Sequence, residues 1–233
     1  MVIIEKISII IPVLNELENI SRVLDRIPSS PDLETIVVDG GSIDGTLELV
    51  RSLGIKALSS SPGRANQMNT GAKIATGEIL LFLHGDTLLP PEFDRLIRDV
   101  LKTPQKIPVA GAFALRIDSP LSSLRLIEWA VSWRSRWLQM PYGDQAIFLT
   151  ADTFHQIGGF AELPIMEDFE LIRRLKKLGQ IAFIPAPVIT SARRWLNHGI
   201  IQTTLINQMI VCAYLLGVSP ERLVRWYRNR SWC

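Results

Sequence analysis

One ten-residue stretch constrains this chain more than any other: Glu-Ile-Leu-Leu-Phe-Leu-His-Gly-Asp-Thr, from Glu78 to Thr87. Ile79 to Leu83 form an unbroken apolar run after Gly77, and the run passes straight into His84, Gly85 and Asp86. Apolar/polar alternation disappears when neither face of a strand meets water, so this run reads as a strand buried on both faces. Such strands belong to α/β sheets, where ligands collect outside the carboxyl ends. Asp86 is therefore placed where chemistry happens.

The rest of the chain supplies matching elements. Ser8 to Val13 is a β-branched strand, and Asn15 with Glu18 three positions on reads as a capping box for a helix to about Ile27. Glu34 to Val38 is a second buried strand, followed by the loop Asp39 to Thr46, a helix from Thr46 to about Leu53 and a short strand near Ile55 to Leu58. Helices are expected over Gly63 to Ala75, Pro90 to about Lys102 and Pro120 to Trp137, with strands at Val109 to Ile117 and Gln145 to Thr150. Asp152 to Ile157 and Glu167 to Leu178 follow as helices, Ile181 to Ile184 as a last strand stopped by Pro185 and Pro187, then helices Asn197 to Leu216 and Pro220 to about Arg228. Strands and helices alternating at this spacing predict an α/β fold: a mostly parallel, doubly wound central sheet flanked by helices, with C-terminal helices. Trp129, Trp133 and Trp137 form one helical stripe, read as core packing in preference to sugar stacking.

Composition narrows the setting. At 233 residues one domain can bury a core without disulfides or a structural metal. The mean hydropathy is +0.21, yet the most apolar segment, Ile200 to Val218, is interrupted by Gln202, Thr203, Thr204, Asn207 and Gln208. It reads as a packed or interfacial helix, not a span. Glu5 and Lys6 break the apolar start, which is expected to be a first strand and not an export signal. Cys212 and Cys233 make no disulfide framework, so a cytoplasmic setting is expected. From Ser191 onward Arg193, Arg194, Arg222, Arg225, Arg228 and Arg230 face Glu221 alone, interleaved with Trp226, Tyr227 and Trp232. That end suits peripheral contact with anionic lipid, oligomer packing or a lid. No nucleic-acid reading module is present, so no nucleic-acid partner is expected.

Asp39 and Asp86 both follow strands and can share one crevice. Asp39 can accept hydrogen bonds from a ribose hydroxyl or a base N–H, while Asp86 can hold a hard divalent cation through oxygen. Asp39-Gly40-Gly41-Ser42 is equally a plain turn, Asp44 a helix N-cap, and Glu167-Asp168 an acidic first helical turn.

Ser8-Ile9-Ile10-Ile11-Pro12-Val13-Leu14-Asn15-Glu16 and Val37-Val38-Asp39-Gly40-Gly41-Ser42-Ile43-Asp44-Gly45-Thr46 resemble the opening of a family 2 glycosyltransferase. The likeness continues through Asn69-Thr70-Gly71-Ala72, Ala75-Thr76-Gly77-Glu78, Leu83-His84-Gly85-Asp86-Thr87, Gly158-Gly159-Phe160, Glu167-Asp168-Phe169-Glu170-Leu171 and Arg194-Trp195. The chain is also similar to the short bacterial subgroup described as radical SAM/selenodomain-associated transferases. The resemblance implies a GT-A fold in a single domain over 1–233: a nucleotide-binding half at 1–87, an acceptor and catalytic half at 88–195, and C-terminal helices at 196–233. It implies an inverting transfer of sugar from a nucleotide-sugar donor, UDP-sugar first, to a small-molecule or lipid-linked hydroxyl acceptor, assisted by Mn2+ or Mg2+.

Residue by residue, the resemblance places Pro12, Glu16 and Asp39 at the nucleoside, and Arg64 and Arg194 at the diphosphate. Asp86 matches the last acid of the Asp-x-Asp metal motif, and Asp168, with Glu167 beside it, matches the catalytic base. Asp144, Gln145 and Trp195 fall on the acceptor side. His84 replaces the first acid of the metal motif, as a second ligand through imidazole or as a hydrogen-bonded residue at a strand end. Leu14 stands where many relatives carry an aromatic ring. Ser191 replaces the Gln of the Gln-x-x-Arg-Trp motif, which argues against a polymerising synthase. A sugar nucleotidyltransferase and a non-catalytic nucleotide-sensing or membrane-docking protein are the other readings; the first normally opens with a glycine-rich loop that this chain lacks.

Overall fold

A computed structural model describes residues 5–102 and 107–230. Eight strands form one sheet: β1 (Ile7–Val13), β2 (Leu33–Asp39), β3 (Lys56–Ser59), β4 (Ile79–Phe82), β5 (Thr87–Leu88), β6 (Ala110–Asp118), β7 (Ile147–Thr150) and β8 (Ile181–Ser191). Their order is β3-β2-β1-β4-β7-β6-β8-β5. The first four are mutually parallel, whereas β7 runs antiparallel to β4 and β6, and β5 antiparallel to β8. Helices flank the sheet: α1 (Leu17–Leu24), α2 (Thr46–Ser52), α3 (Arg64–Ile74), α4 (Phe93–Leu101), α5 (Ser122–Trp137), α6 (Ala151–Gln156), α7 (Glu167–Leu178), α8 (Arg193–His198), α9 (Ile200–Leu215) and α10 (Pro220–Arg230).

Alternate residues of β1 and β4 feed two separate cores. Ile9, Ile11, Ile79 and Leu81 pack with α1 and α4 through Ile20, Val23, Phe93 and Ile97. Ile10, Leu80 and Phe82 pack on the other face with Met68 of α3 and Leu171 and Ile172 of α7. Both faces are covered, which explains the unbroken apolar run.

Several local expectations change. Asn15 does not cap α1: it adopts φ 55°, its Oδ1 accepts the Ile43 N–H at 2.9 Å, and its own N–H donates to Ser42 Oγ at 2.8 Å. The two loops after β1 and β2 are thereby tied together, and Asp44 adds to the tie by accepting the Leu17 N–H at 3.1 Å. Strand β8 runs on past both prolines. Its register against β6 jumps from Ile184 to Pro187 between Phe113 and Ala114, so Pro185 sits in a bulge where a missing N–H costs no ladder bond. The extended β8 then pairs with β5, and the Ser191 N–H reaches Asp86 O at 3.2 Å. This delivers Arg193, Arg194 and Trp195 to the end of β4.

Gly199, at φ 79°, splits the expected Asn197 to Leu216 helix into α8 and α9. The tryptophan stripe of α5 faces outward, not into the core. Among the described residues no helix is long and apolar enough to cross a membrane. Trp232, Cys233 and the first four residues lie outside the described residues, as do the side chains of Arg228 and Arg230.

Candidate active site

A cavity of about 300 Å³ opens beside the carboxyl end of β4. Three segments build its acidic wall. The end of β4 supplies His84 and Asp86, the short 3-10 turn Gly143–Gln145 supplies Asp144, and the first turn of α7 supplies Glu167 and Asp168. The antiparallel pairing of Phe82 with Ile147 sets the start of β7 next to the end of β4, so the turn before β7 lies against His84.

Glycines permit the close approach. A Cβ on Gly143 would lie 3.1 Å from both His84 Nε2 and Asp168 Oδ2, and one on Gly85 would lie 3.3 Å from Glu16 Cγ. Asp168 is held by backbone: Oδ2 accepts the Gly143 N–H at 2.6 Å and Oδ1 the Phe169 N–H at 2.7 Å. Each carboxylate oxygen keeps a further lone pair. Glu167 is buried, with Arg64 Nη1 at 3.7 Å from Oε1; burial first, then the Asp168 charge, pushes its carboxyl upward.

Asp144 and Trp195 line this cavity, and each carries a buried polar atom, Oδ1 and Nε1, with no hydrogen-bond partner among the described residues. Burial pushes the Asp144 carboxyl up to about 6; Asp168 and Asp86 add to the shift, and Arg134 and Arg64 oppose it. Burial and the Arg64 charge push the His84 imidazole down to about 3, so it is neutral at physiological pH. Buried polar groups are normally satisfied, so an orphan acceptor and an orphan donor in one cavity mark a place for a polar ligand.

Arg193 links two of the expected site residues. Its Nη2 lies 2.6 Å from Glu16 Oε2 and 3.5 Å from Asp86 Oδ2. Burial raises the Glu16 carboxyl, which also accepts from Asn19 at 2.8 Å. Arg194 lines the cavity with its guanidinium 4.2 Å from the Tyr227 ring centroid; burial, then Arg64, lowers it to about 10, which leaves it cationic.

Pro12 and Asp39 lie near the ends of neighbouring strands and, like Glu16, are not among the residues lining this cavity. Asp39 is buried and accepts the Gly41 and Ser42 N–H groups at 2.8 and 3.0 Å, which shapes its loop. Gln145 is fully buried and its amide is used internally. Oε1 accepts from Ser135 Oγ at 2.8 Å, Arg134 Nη2 at 3.1 Å and the Tyr142 N–H at 3.2 Å, while Nε2 donates to Phe113 O. Gln145 therefore has no amide atom turned to the cavity for the acceptor contact expected of it: the 3-10 turn carries its side chain inward, where it acts as a staple.

Two further residues shape the site in ways that their spacing in the sequence does not reveal. Arg134 lies with its guanidinium 3.5 Å from the Tyr142 ring centroid and donates to Met140 O; its importance depends on the rotation of α5, which spacing alone does not fix. Gln67 Nε2 donates to Val13 O and Val38 O, both at 2.8 Å, and holds the ends of β1 and β2 together. A Cβ on Gly40 would meet that amide at 3.0 Å, so the pair of glycines after Asp39 carries the signal in retrospect.

A model of the family described as Glycosyl transferase family 2 matches residues 8–163. The chain belongs to this family. Among relatives of this family 2 glycosyltransferase, glycosyltransferase AglE of Haloferax volcanii is 40% identical over 91 residues, covering 34% of this chain and 30% of the relative. The chain matches about a third of the length of such curated relatives. Among solved structures, mannosyltransferase PcManGT from Pyrobaculum calidifontis in complex with GDP-Man and Mn2+ superposes with TM-score 0.66 at 23% identity, covering 93% of this chain and 66% of that one. S. aureus TarS in complex with UDP superposes with TM-score 0.63 at 18% identity, covering 80% and 60%. These likenesses show the fold, the GT-A fold that the sequence motifs imply.

Proposed function

We propose that this chain is an inverting, divalent-metal-assisted glycosyltransferase that moves a sugar from a nucleotide-diphosphate donor to a hydroxyl of a small or lipid-linked acceptor. The observation that carries the reading is the meeting of Asp86, Asp144 and Asp168 around one cavity, two of whose lining residues, Asp144 and Trp195, carry a buried polar atom with no partner among the described residues. Solved structures of the same fold are in complex with UDP or GDP-Man, which supports a nucleotide-sugar donor, and UDP-sugar is our first choice.

The donor set fits a hard cation. Asp86 offers carboxylate oxygen at the end of β4 on the wall of the cavity, the donor chemistry that Mg2+ or Mn2+ takes, with diphosphate oxygens to complete the shell. Asp86 would hold it, and neutral His84 offers the nitrogen that favours manganese. When bound, such a cation supplies Lewis-acid stabilisation to the departing diphosphate. Arg64, Arg193 and Arg194 add positive charge on that side, and Pro12, Glu16 and Asp39 receive the nucleoside.

Asp168 takes the proton from the acceptor hydroxyl as its oxygen attacks the anomeric carbon. With no enzyme nucleophile in the step, one displacement inverts that carbon. Asp144 and Trp195 receive the acceptor, and Glu167, buried against Arg64, keeps like charge next to the base. Substituting Asp168 with Asn should leave nucleoside-diphosphate binding intact and cut transfer by roughly 10² to 10⁴. Full turnover by that variant would overturn the assignment.

A further inference from the structure

We infer that the outward face of α5 and α9 docks on the interface of an anionic lipid bilayer and presents the cavity to an acceptor held in that bilayer. The acceptor half of this inference rests on the glycosyltransferase reading above; the docking half rests on the surface alone.

The tryptophan stripe is the first observation. Trp129, Trp133 and Trp137 are 64%, 48% and 69% exposed, and Leu126 continues the same side of α5. On α9, Ile201 and Leu205 are 76% and 64% exposed, and Leu215 and Leu216 extend that side. Single exposed apolar residues are ordinary; stripes of large ones on two helices flanking one cavity mark an interaction surface.

The helices also share the cavity. Ile127, Val131 and Arg134 line it from α5, and Thr204, Asn207 and Val211 line it from α9. At 100° per residue, the exposed stripe lies about a third of a turn from the lining residues on α5 and about a quarter turn on α9. The apolar surface thus borders the mouth on two sides. Leu124 and Ile127 of α5 pack with Ala192, Trp195 and Ile200, which joins the two helices through α8.

Charge selects the occupant. Arg136 is exposed with its guanidinium 5.8 Å from the Trp137 ring centroid, and Arg222, Arg225 and Trp226 share the exposed side of α10, which packs on α9. Glu128, the acid of α5, is turned inward to the Ile117 N–H and Arg125. Among the described residues of α5, α9 and α10, Glu221 is the single exposed acid, set against Arg136, Arg222 and Arg225; tryptophan with this excess of arginine is the chemistry of a bilayer interface bearing anionic headgroups. A second copy would set arginine against arginine, which costs affinity. Since no helix among the described residues can cross a membrane, the contact is one of lying on the surface.

The test is flotation of the full chain with vesicles of phosphatidylcholine mixed with phosphatidylglycerol, against phosphatidylcholine alone. The wild type should float with the anionic vesicles, less so at high salt, and its tryptophan emission should be quenched by brominated lipid. Two variants, Trp129→Ser with Trp133→Ser and Ile201→Glu with Leu205→Glu, should each lower partitioning by roughly tenfold or more while binding UDP and Mn2+ as the wild type does. Asp86→Asn should float normally, so loss of nucleotide binding and loss of docking are separable. Failure of the wild type to float would overturn the inference, as would variants that float unchanged. A wild-type dimer that the tryptophan variant converts to monomer, without vesicle binding, would assign the face to a second copy and overturn it too.

Discussion

Asp168 accepts a 2.6 Å hydrogen bond from the Gly143 N–H, which fixes the first turn of α7 against the turn ahead of β7. The acid is thereby aimed by backbone and not by a mobile side chain. Gly143→Ala would bring a Cβ within 3.1 Å of Asp168 Oδ2 and His84 Nε2, and both must shift by a few tenths of an ångström. Turnover should fall by roughly tenfold or more, because reacting groups tolerate little misplacement. Nucleoside-diphosphate affinity, measured alongside by calorimetry, should stay at the wild-type value.

Arg193 spans Glu16 and Asp86 with a partly exposed guanidinium. Exposed pairs stabilise little, so Arg193→Ala should change folding stability by less than about 1 kcal/mol. Loss of a charged donor facing the diphosphate should weaken UDP binding by roughly tenfold. A thermal melt without ligand and a titration with UDP and Mn2+ separate these effects.

The Asp144 carboxyl is raised to about 6, so between its ordinary 3.8 and about 6 the folded state holds a proton that the unfolded state has lost. Asp144 therefore contributes a stability that falls as pH rises through that window. His84, lowered to about 3, works in the opposite direction between about 3 and its ordinary 6.5, so the wild-type profile alone is not diagnostic. Comparison with Asp144→Asn isolates the acid: the two melting temperatures should agree near pH 4, and the variant should be the more stable above pH 6.

Gln67→Leu should destabilise the fold by about 1–3 kcal/mol, since it strips the donors from the buried Val13 and Val38 carbonyls. Denaturant unfolding measures this, with an unchanged slope expected.

Much of this was legible in the sequence. The buried β4 run, its exit into Asp86 and the start of α7 at Glu167 stand as read, because burial on both faces and an acidic first turn are local patterns. A proline removes a donor and so predicts a shorter β8; only the bulge against β6 reveals that no ladder bond is due there. Periodicity identifies the α5 tryptophan stripe without saying whether anything covers it, so a core stripe is expected and an exposed one is found. Asn15 carries a capping signature yet ties two loops, a tertiary contact that a one-dimensional pattern does not contain. Gln145 and Asp144 are neighbours in one turn, and only the fold tells which faces the cavity.

The account turns on Asp86 holding a divalent cation against a nucleoside diphosphate. Titration of UDP and GDP into wild type and Asp86→Asn, each with and without Mn2+, tests this directly. Saturable binding by the wild type that requires Mn2+ and is lost in Asp86→Asn is the predicted result. Binding that persists without metal, or that Asp86→Asn leaves unchanged, would contradict it.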